Sequence, residues 1–158
     1  MLSHGVVKPA LFILPLLLLS ACGSGVRTDR PLSLSEAKQR KETDFPFPSS
    51  ATNIYYATYS DWQAYEYLLR FDATPADCEA TIARALAWHE TRNRTSATYQ
   101  TVTVSTPTAL PETLWLERVW WWESEVVKHG LFAGEDLSHK PMIWVDSDLG
   151  RFYYRCTD

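Results

Sequence analysis

The chain has no excess of basic residues. Lys and Arg number 15 against 19 Asp and Glu, and the formal net charge is −4 at pH 7. Nucleic acids attract proteins through basic surfaces, so this charge argues against a nucleic-acid partner. It also provides no polybasic segment that could hold the chain on an anionic membrane.

A long apolar run is missing as well. The apolar stretch at residues 10–19 is interrupted by Pro15. At roughly ten residues it is too short to cross the roughly 30 Å hydrocarbon core of a bilayer as a helix. A short run of this kind after a single cation, Lys8, is typical of the apolar region of a secretory signal.

Motifs that would indicate a reaction are absent. The sequence contains no HExxH, CxxC, Gly-x-Ser-x-Gly or Gly-rich phosphate loop. Residues 146–150, DSDLG, lack the further ligands of a calcium loop and predict a hairpin turn. His89 is expected to be a hydrogen-bonded core residue, and His129 and His139 have no partner motif. We therefore expect no metal, no cofactor and no catalytic residue, although a triad of distant residues is left open.

Small residues and a cysteine follow the apolar run, in the order Leu19-Ser20-Ala21-Cys22. This order resembles the lipobox of bacterial lipoprotein precursors. The resemblance implies that residues 1–21 are a signal peptide and that Cys22 becomes the lipidated N-terminus. Two or more acyl chains would then anchor the protein stably in a bilayer. Gly23, where inner-membrane lipoproteins usually have Asp, favours the outer membrane of a Gram-negative host. The alternatives are an ordinary secretory signal cut nearby and an uncleaved anchor.

The mature chain would have 158 − 21 = 137 residues, enough for about one domain. Residues 22–50 are predicted to form a flexible tether, because they are polar, Gly/Ser-containing and then proline-rich, with a loose helix at 33–42. Residues 51–158 are predicted to form a single globular domain.

The domain's pattern predicts an α+β fold, a small antiparallel sheet of about four strands with one or two packed helices. Residues 54–59 and 63–71 should form a hairpin, because apolar and polar residues alternate in the second segment. Thr74 as N-cap and Pro75 at the first turn begin a helix that should end near residues 91–93. Further strands are expected at 99–104, 142–146 and 151–156.

The segment at residues 111–129 is harder to assign. Pro111 and Glu112 suit the start of a helix, and Lys128, His129 and Gly130 suit its end. A strand at residues 114–121 competes with this helix, since Trp and Val also favour strands.

Two cysteines remain besides Cys22. In an exported domain an even pair is interpreted first as a disulfide, here between Cys78 and Cys156. Cys78 lies on the apolar face of the predicted helix, and Cys156 shares a strand face with Phe152 and Tyr154. Packing of the helix on the sheet could therefore bring the two thiols together.

Aromatic residues are abundant, with seven Trp and eight Tyr. They could simply fill the core, or they could form a stacking surface for wall sugars or peptide. On the helical interpretation, Trp121 lies off the apolar stripe of its helix, so it is the predicted exposed binding residue, with Trp120 beside it. The sequence thus predicts a non-enzymatic binding or accessory domain, anchored to the lipid bilayer and facing the periplasm. Its expected partner is an envelope protein or peptidoglycan. The alternative is a cell-wall hydrolase or another envelope enzyme whose site is not visible in the sequence.

Overall fold

The computed structural model describes residues 24–40, 43–94, 99–117, 119–123, 125–135, 137 and 139–157. The predicted signal peptide, residues 1–21, and the predicted lipidation site, Cys22, lie outside the described residues. No helix within the described ranges is long and apolar enough to cross a membrane.

The described chain contains nine strands and three helices. In chain order they are β1 (Ser24–Arg27), α1 (Leu34–Lys38), β2 (Thr52–Ser60), β3 (Tyr65–Asp72), α2 (Pro75–Asn93), β4 (Thr101–Val104), β5 (Thr108–Ala109), α3 (Trp120–Glu123), β6 (Val126–Val127), β7 (Gly130–Gly134), β8 (Pro141–Asp146) and β9 (Arg151–Thr157). The α+β class is confirmed, and the sheet is larger than the four strands expected.

Seven strands form one antiparallel sheet in the order β1-β2-β3-β9-β8-β7-β4, and β5 and β6 form a separate pair. The β2–β3 hairpin, the strand at 99–104 and the β8–β9 hairpin were all expected. The turn of the β8–β9 hairpin ends at Gly150, whose φ is +61° and whose Cβ position would lie 2.3 Å from the carbonyl oxygen of Ala73. A side chain there would meet both backbone strain and a clash.

We call the end of the sheet that carries the β2–β3 turn the hairpin end. Ser24, Ser60, Tyr65 and Thr157 lie there. The opposite end carries Thr52, Asp72 and Arg151.

Helix α2 covers one side of the sheet, which we call the helix face. Thr74 caps it by accepting from the backbone N–H of Asp77 at 3.2 Å, and Pro75 occupies the first turn. Cys78, Ile82 and Ala85 are buried against the apolar side chains of β3 and β9. The local signals in the sequence therefore predicted this helix with its correct limits.

The segment before β2 also packs on the domain. β1 pairs with β2, and Leu32 forms a bridge to Ile54. Helix α1 is closed by a capping box between Ser33 and Glu36. These contacts give residues 24–40 fixed partners.

Phe45 and Phe47 complete the cover of the helix face. The Phe45 ring centroid lies 5.8 Å from that of Phe152, and the Phe47 ring centroid lies 5.6 Å from that of Phe71. The predicted flexible tether over residues 22–50 is therefore wrong for its described part. The segment has few apolar residues, but Phe45 and Phe47 alternate with prolines, and both rings are buried because the sheet offers an apolar surface to cover.

The other side of the sheet, which we call the tryptophan face, is covered by residues 110–127. Trp121 and Trp122 pack there on Tyr55, Leu68 and Tyr153. The helix predicted over residues 111–129 is wrong: of the described residues in this segment, only the four of α3 are helical, and β5 and β6 pair across it. Both faces of β3 are consequently buried, not one as the alternation indicated.

Cys78 and Cys156, both described, do not form the predicted disulfide. The start of α2 lies at the opposite end of the sheet, because the N–H of Ala73 donates to the carbonyl of Gly150 at 2.8 Å. Cys156 lies five residues along β9 from Arg151, or roughly 16 Å at ~3.3 Å per residue. A bridge requires a Cα separation of about 5.5–6 Å. The two thiols share a core but occupy its two ends.

Candidate binding groove

An open groove of about 500 Å³ lies on the tryptophan face beside β4. Its floor consists of Phe132, Met142 and Trp144, which β7 and β8 project side by side. The Phe132 and Trp144 ring centroids are 5.2 Å apart. Its walls come from β4, β5 and the residues that connect and follow them: Val102, Thr103, Val104, Ser105, Thr106, Thr108, Ala109 and Pro111.

Strand β4 is the edge of the sheet next to this groove. It pairs with β7 from Thr101↔Ala133 to Val104↔Gly130, and no strand of the described chain pairs with its other side. Val102 is exposed on this edge. An edge strand with open backbone donors and acceptors is a template for pairing with another chain.

None of the described residues that line the groove has an ionisable side chain. Its polar groups are the hydroxyls of Thr and Ser residues, and the rest of the lining is apolar. A nucleophile requires a base beside it, and a general acid requires a titratable group, so this lining offers neither. What it offers is an apolar trough with a few hydroxyl partners, next to a backbone that can accept a strand.

The buried carboxylate of Glu66 has a structural role. It accepts hydrogen bonds from the backbone N–H groups of Leu114, Trp115 and Leu116 at 2.9–3.2 Å. Arg155 Nη2 lies 3.1 Å from its Oε1 oxygen. Both charged side chains are almost completely buried, so this pair holds residues 114–116 on β3 and β9 at the hairpin end of the sheet.

A second charged cluster lies at the opposite end of the same face. The guanidinium of Arg151 lies 2.9 Å from Asp72 and 3.0 Å from Glu125. Arg70 lies 3.2 Å from Glu125, and the hydroxyl of Tyr153 donates to Glu125 at 2.8 Å. The carboxylates of Asp72 and Glu125 thus both form ion pairs with arginine. The arrangement is that of an ion-pair network that fixes residue 125 to β3 and β9.

His89 is a core residue, as expected. It is buried, with Nδ1 2.6 Å from the hydroxyl of Tyr154 and Nε2 3.0 Å from the carbonyl of His139. Burial lowers its pKa below the ordinary value. The ring is therefore neutral and held from both sides. His129 lies at the surface, with Nδ1 2.8 Å from Asp148.

The two predicted binding residues have different fates. Trp121 is 1 % exposed and stacks on Tyr55 with ring centroids 5.6 Å apart, so the prediction that it is the exposed ring is wrong. Trp120 is 56 % exposed and contacts the edge of the same Tyr55 ring. The error follows from the helix that the segment does not form, because the 100° spacing that turned Trp121 outward requires a long helix.

The groove itself was not foreseen. The only sequence signal for it was the strand predicted at residues 99–104, for which the sequence indicated no pairing strand. Among the described residues, no group of three or more His, Cys, Asp or Glu side chains could hold a metal ion. Comparisons with protein-family models, with curated proteins and with solved structures found no match.

Proposed function

We propose that this protein is a lipid-anchored lipoprotein of the bacterial envelope whose domain binds an extended segment of another envelope protein. The observation that supports binding is the groove beside β4, which has an apolar lining, an open strand edge and no ionisable side chain. The order Leu19-Ser20-Ala21-Cys22 supports the anchor, and Gly23 supports an outer-membrane location with the domain facing the periplasm.

An extended polypeptide suits the groove better than a sugar. A strand added to β4 would satisfy its backbone groups, and alternate apolar side chains would enter the trough over Phe132 and Trp144. Sugar recognition would require a broadly exposed ring for stacking, and of the two floor rings Trp144 is buried and Phe132 is only partly exposed. Binding by strand addition needs no acid, base or metal in the groove.

The anchor is tested by Cys22→Ser. The substitution should abolish incorporation of labelled palmitate and release the protein from salt-washed membranes. Continued labelling or membrane retention would contradict the lipid anchor. Gly23→Asp should move the protein to the inner membrane of a Gram-negative host, and unchanged sorting would contradict the outer-membrane assignment.

The groove is tested by a photo-crosslinking amino acid placed in the full-length protein in cells. At position 102, on the β4 edge, it should give a discrete protein adduct. At position 149, an equally exposed leucine in the β8–β9 turn, it should not. A Val102→Glu variant should keep its melting temperature, because position 102 is half exposed and the charge stays in water in the free protein. It should lose the adduct formed from position 104, because a bound segment would bury that charge without a partner. Equal adducts from positions 102 and 149 would contradict a site at β4.

A further inference from the structure

The position of Ser24 restricts how the domain can sit on a membrane. Ser24 begins β1 and pairs with Ser60 at the hairpin end of the sheet. Only Gly23 separates it from Cys22, so its Cα lies within about 7 Å of the Cα of Cys22, at ~3.3–3.6 Å per residue. Strand β1 therefore begins at the hairpin end and continues toward the opposite end of the sheet.

Three of the large apolar side chains exposed at this end lie beside the β2–β3 turn. Trp62, at the tip of the β2–β3 turn, is 75 % exposed. Leu114 and Trp115 are 61 % and 47 % exposed, and both are fixed there by the bonds that their backbone N–H groups make to the Glu66 carboxylate. Glu66 itself pairs with Tyr59 and Thr157, which places the cluster beside the β2–β3 turn.

Trp62 is carried by a fixed turn of the backbone, and Trp115 is fixed by its ring. The turn that carries Trp62 is closed by Asp61, whose carboxylate accepts from the backbone N–H groups of Gln63 at 2.7 Å and Ala64 at 2.6 Å. Trp115 stacks on Tyr59 with ring centroids 6.1 Å apart and planes 16° apart. A ring that is ordered before contact, as Trp115 is, loses little conformational freedom when it inserts.

We propose that the hairpin end, defined by Trp62, Leu114 and Trp115, docks directly on the lipid headgroups. The proposal rests on the lipid anchor at Cys22 proposed above. With the acyl chains in the bilayer, a link of about 7 Å keeps Ser24 at the headgroup level. Tryptophan is favoured at this depth because its ring is apolar and its N–H reaches water or headgroup oxygens.

Charge does not drive this contact. The mature chain carries −4 − 1 = −5 after loss of Lys8, so attraction to anionic lipid is not available to it as a whole. The contact is therefore apolar, and it should depend on the rings more than on salt. This docking also leaves β4, at the other edge of the sheet, free to meet a partner.

The test uses the lipidated mature protein in vesicles of phosphatidylethanolamine and phosphatidylglycerol, with and without bromine-labelled phosphatidylcholine. Bromine at shallow depth quenches tryptophan that reaches the headgroup boundary. Wild-type fluorescence should be quenched, and Trp62→Phe should lower the quenched fraction by about half, because Trp62 is one of two exposed tryptophans at this end. Trp120→Phe is the matched control: it is similarly exposed but stacks on Tyr55, away from the hairpin end, and quenching should be unchanged.

A second variant carries about twelve Gly/Ser residues inserted after Gly23, which places a flexible link between the anchor and β1. Quenching should fall while flotation with vesicles persists. A wild-type protein that floats with vesicles but shows no bromine quenching would overturn the docking and leave the anchor standing. A wild-type protein that does not float would overturn both. Equal loss of quenching in Trp62→Phe and Trp120→Phe would assign the contact to a different surface and overturn the proposal.

Discussion

Replacing Glu66 by Gln should strongly destabilise the domain. The carboxylate is completely buried and neutralises Arg155, whose side chain is only 3 % exposed. Removing its charge leaves a buried guanidinium without a counter-charge, and breaking such a pair from one side costs about 3–5 kcal/mol. The amide would also turn its NH₂ group toward backbone N–H groups that now donate to the carboxylate.

The measurement is equilibrium unfolding in urea. A single domain has a free energy of unfolding of about 5–15 kcal/mol, so a loss of 3–5 kcal/mol shifts the midpoint by a large fraction of its value. Asp44→Asn is the matched control, because Asp44 and Arg92 form an ion pair at 2.8 Å with both side chains well exposed. An exposed pair contributes at most about 1 kcal/mol to the free energy of unfolding. Asp44→Asn should therefore cost less stability than Glu66→Gln, although its ion pair is shorter.

A double-mutant cycle with Arg155→Gln isolates the pair. The double variant should be less destabilised than the sum of the two single variants, since it leaves no isolated buried charge. A Glu66→Gln variant that loses less than about 1 kcal/mol would refute the reasoning, and so would additive effects in the cycle.

Three further predictions concern single side chains. Trp121→Ala should cost about 3–5 kcal/mol because the ring is buried, whereas Trp120→Ala should cost about 1 kcal/mol or less; equal melting temperatures for the two variants would contradict the packing described here. Burial raises the pKa of Cys78 to about 12, so its thiol should resist iodoacetamide at pH 8 in the folded protein, and Cys78 and Cys156 should both be alkylated after denaturation without reductant. Burial lowers the pKa of His89 below 6.5 in the folded state. Protonation therefore favours the unfolded chain, and the free energy of unfolding should fall as the pH drops below about 6.5; a fall of the same size in His89→Gln would show that another group is responsible.

The parts of the fold that the sequence predicted are those with local causes. Helix α2 has its N-cap at Thr74, a proline in its first turn and an apolar face of 3.6-residue period. The strands at residues 63–71 and 151–156 are recognisable from alternation and from the turns that precede them. These signals need no knowledge of what lies opposite in the fold.

The parts that were missed depend on long-range packing. Phe45 and Phe47 look like residues of a proline-rich linker until a sheet is present to bury them. The alternation in β3 placed Glu66 on the face expected to be exposed to solvent. Glu66 is buried because residues 110–127 cover that face. Trp121 and Trp120 could be helix or strand, since neither residue type decides between the two. The groove was missed for the same reason, because residues of four separate strands, β4, β5, β7 and β8, line it.

The placement of β1 has a mechanical consequence. β1 and β4 are the two edges of a seven-stranded sheet, and six spacings of ~4.8 Å put them roughly 29 Å apart. A pull on the anchor proposed at Cys22 would act along the axis of β1 from its first residue, so the ladder bonds to β2 would be loaded in shear and resist together. If a partner held at β4 pulls in the other direction, the tension crosses every strand of the sheet. The domain would then transmit force between membrane and partner without an elastic spacer, and the first element to yield would be the four-residue strand at the anchored edge.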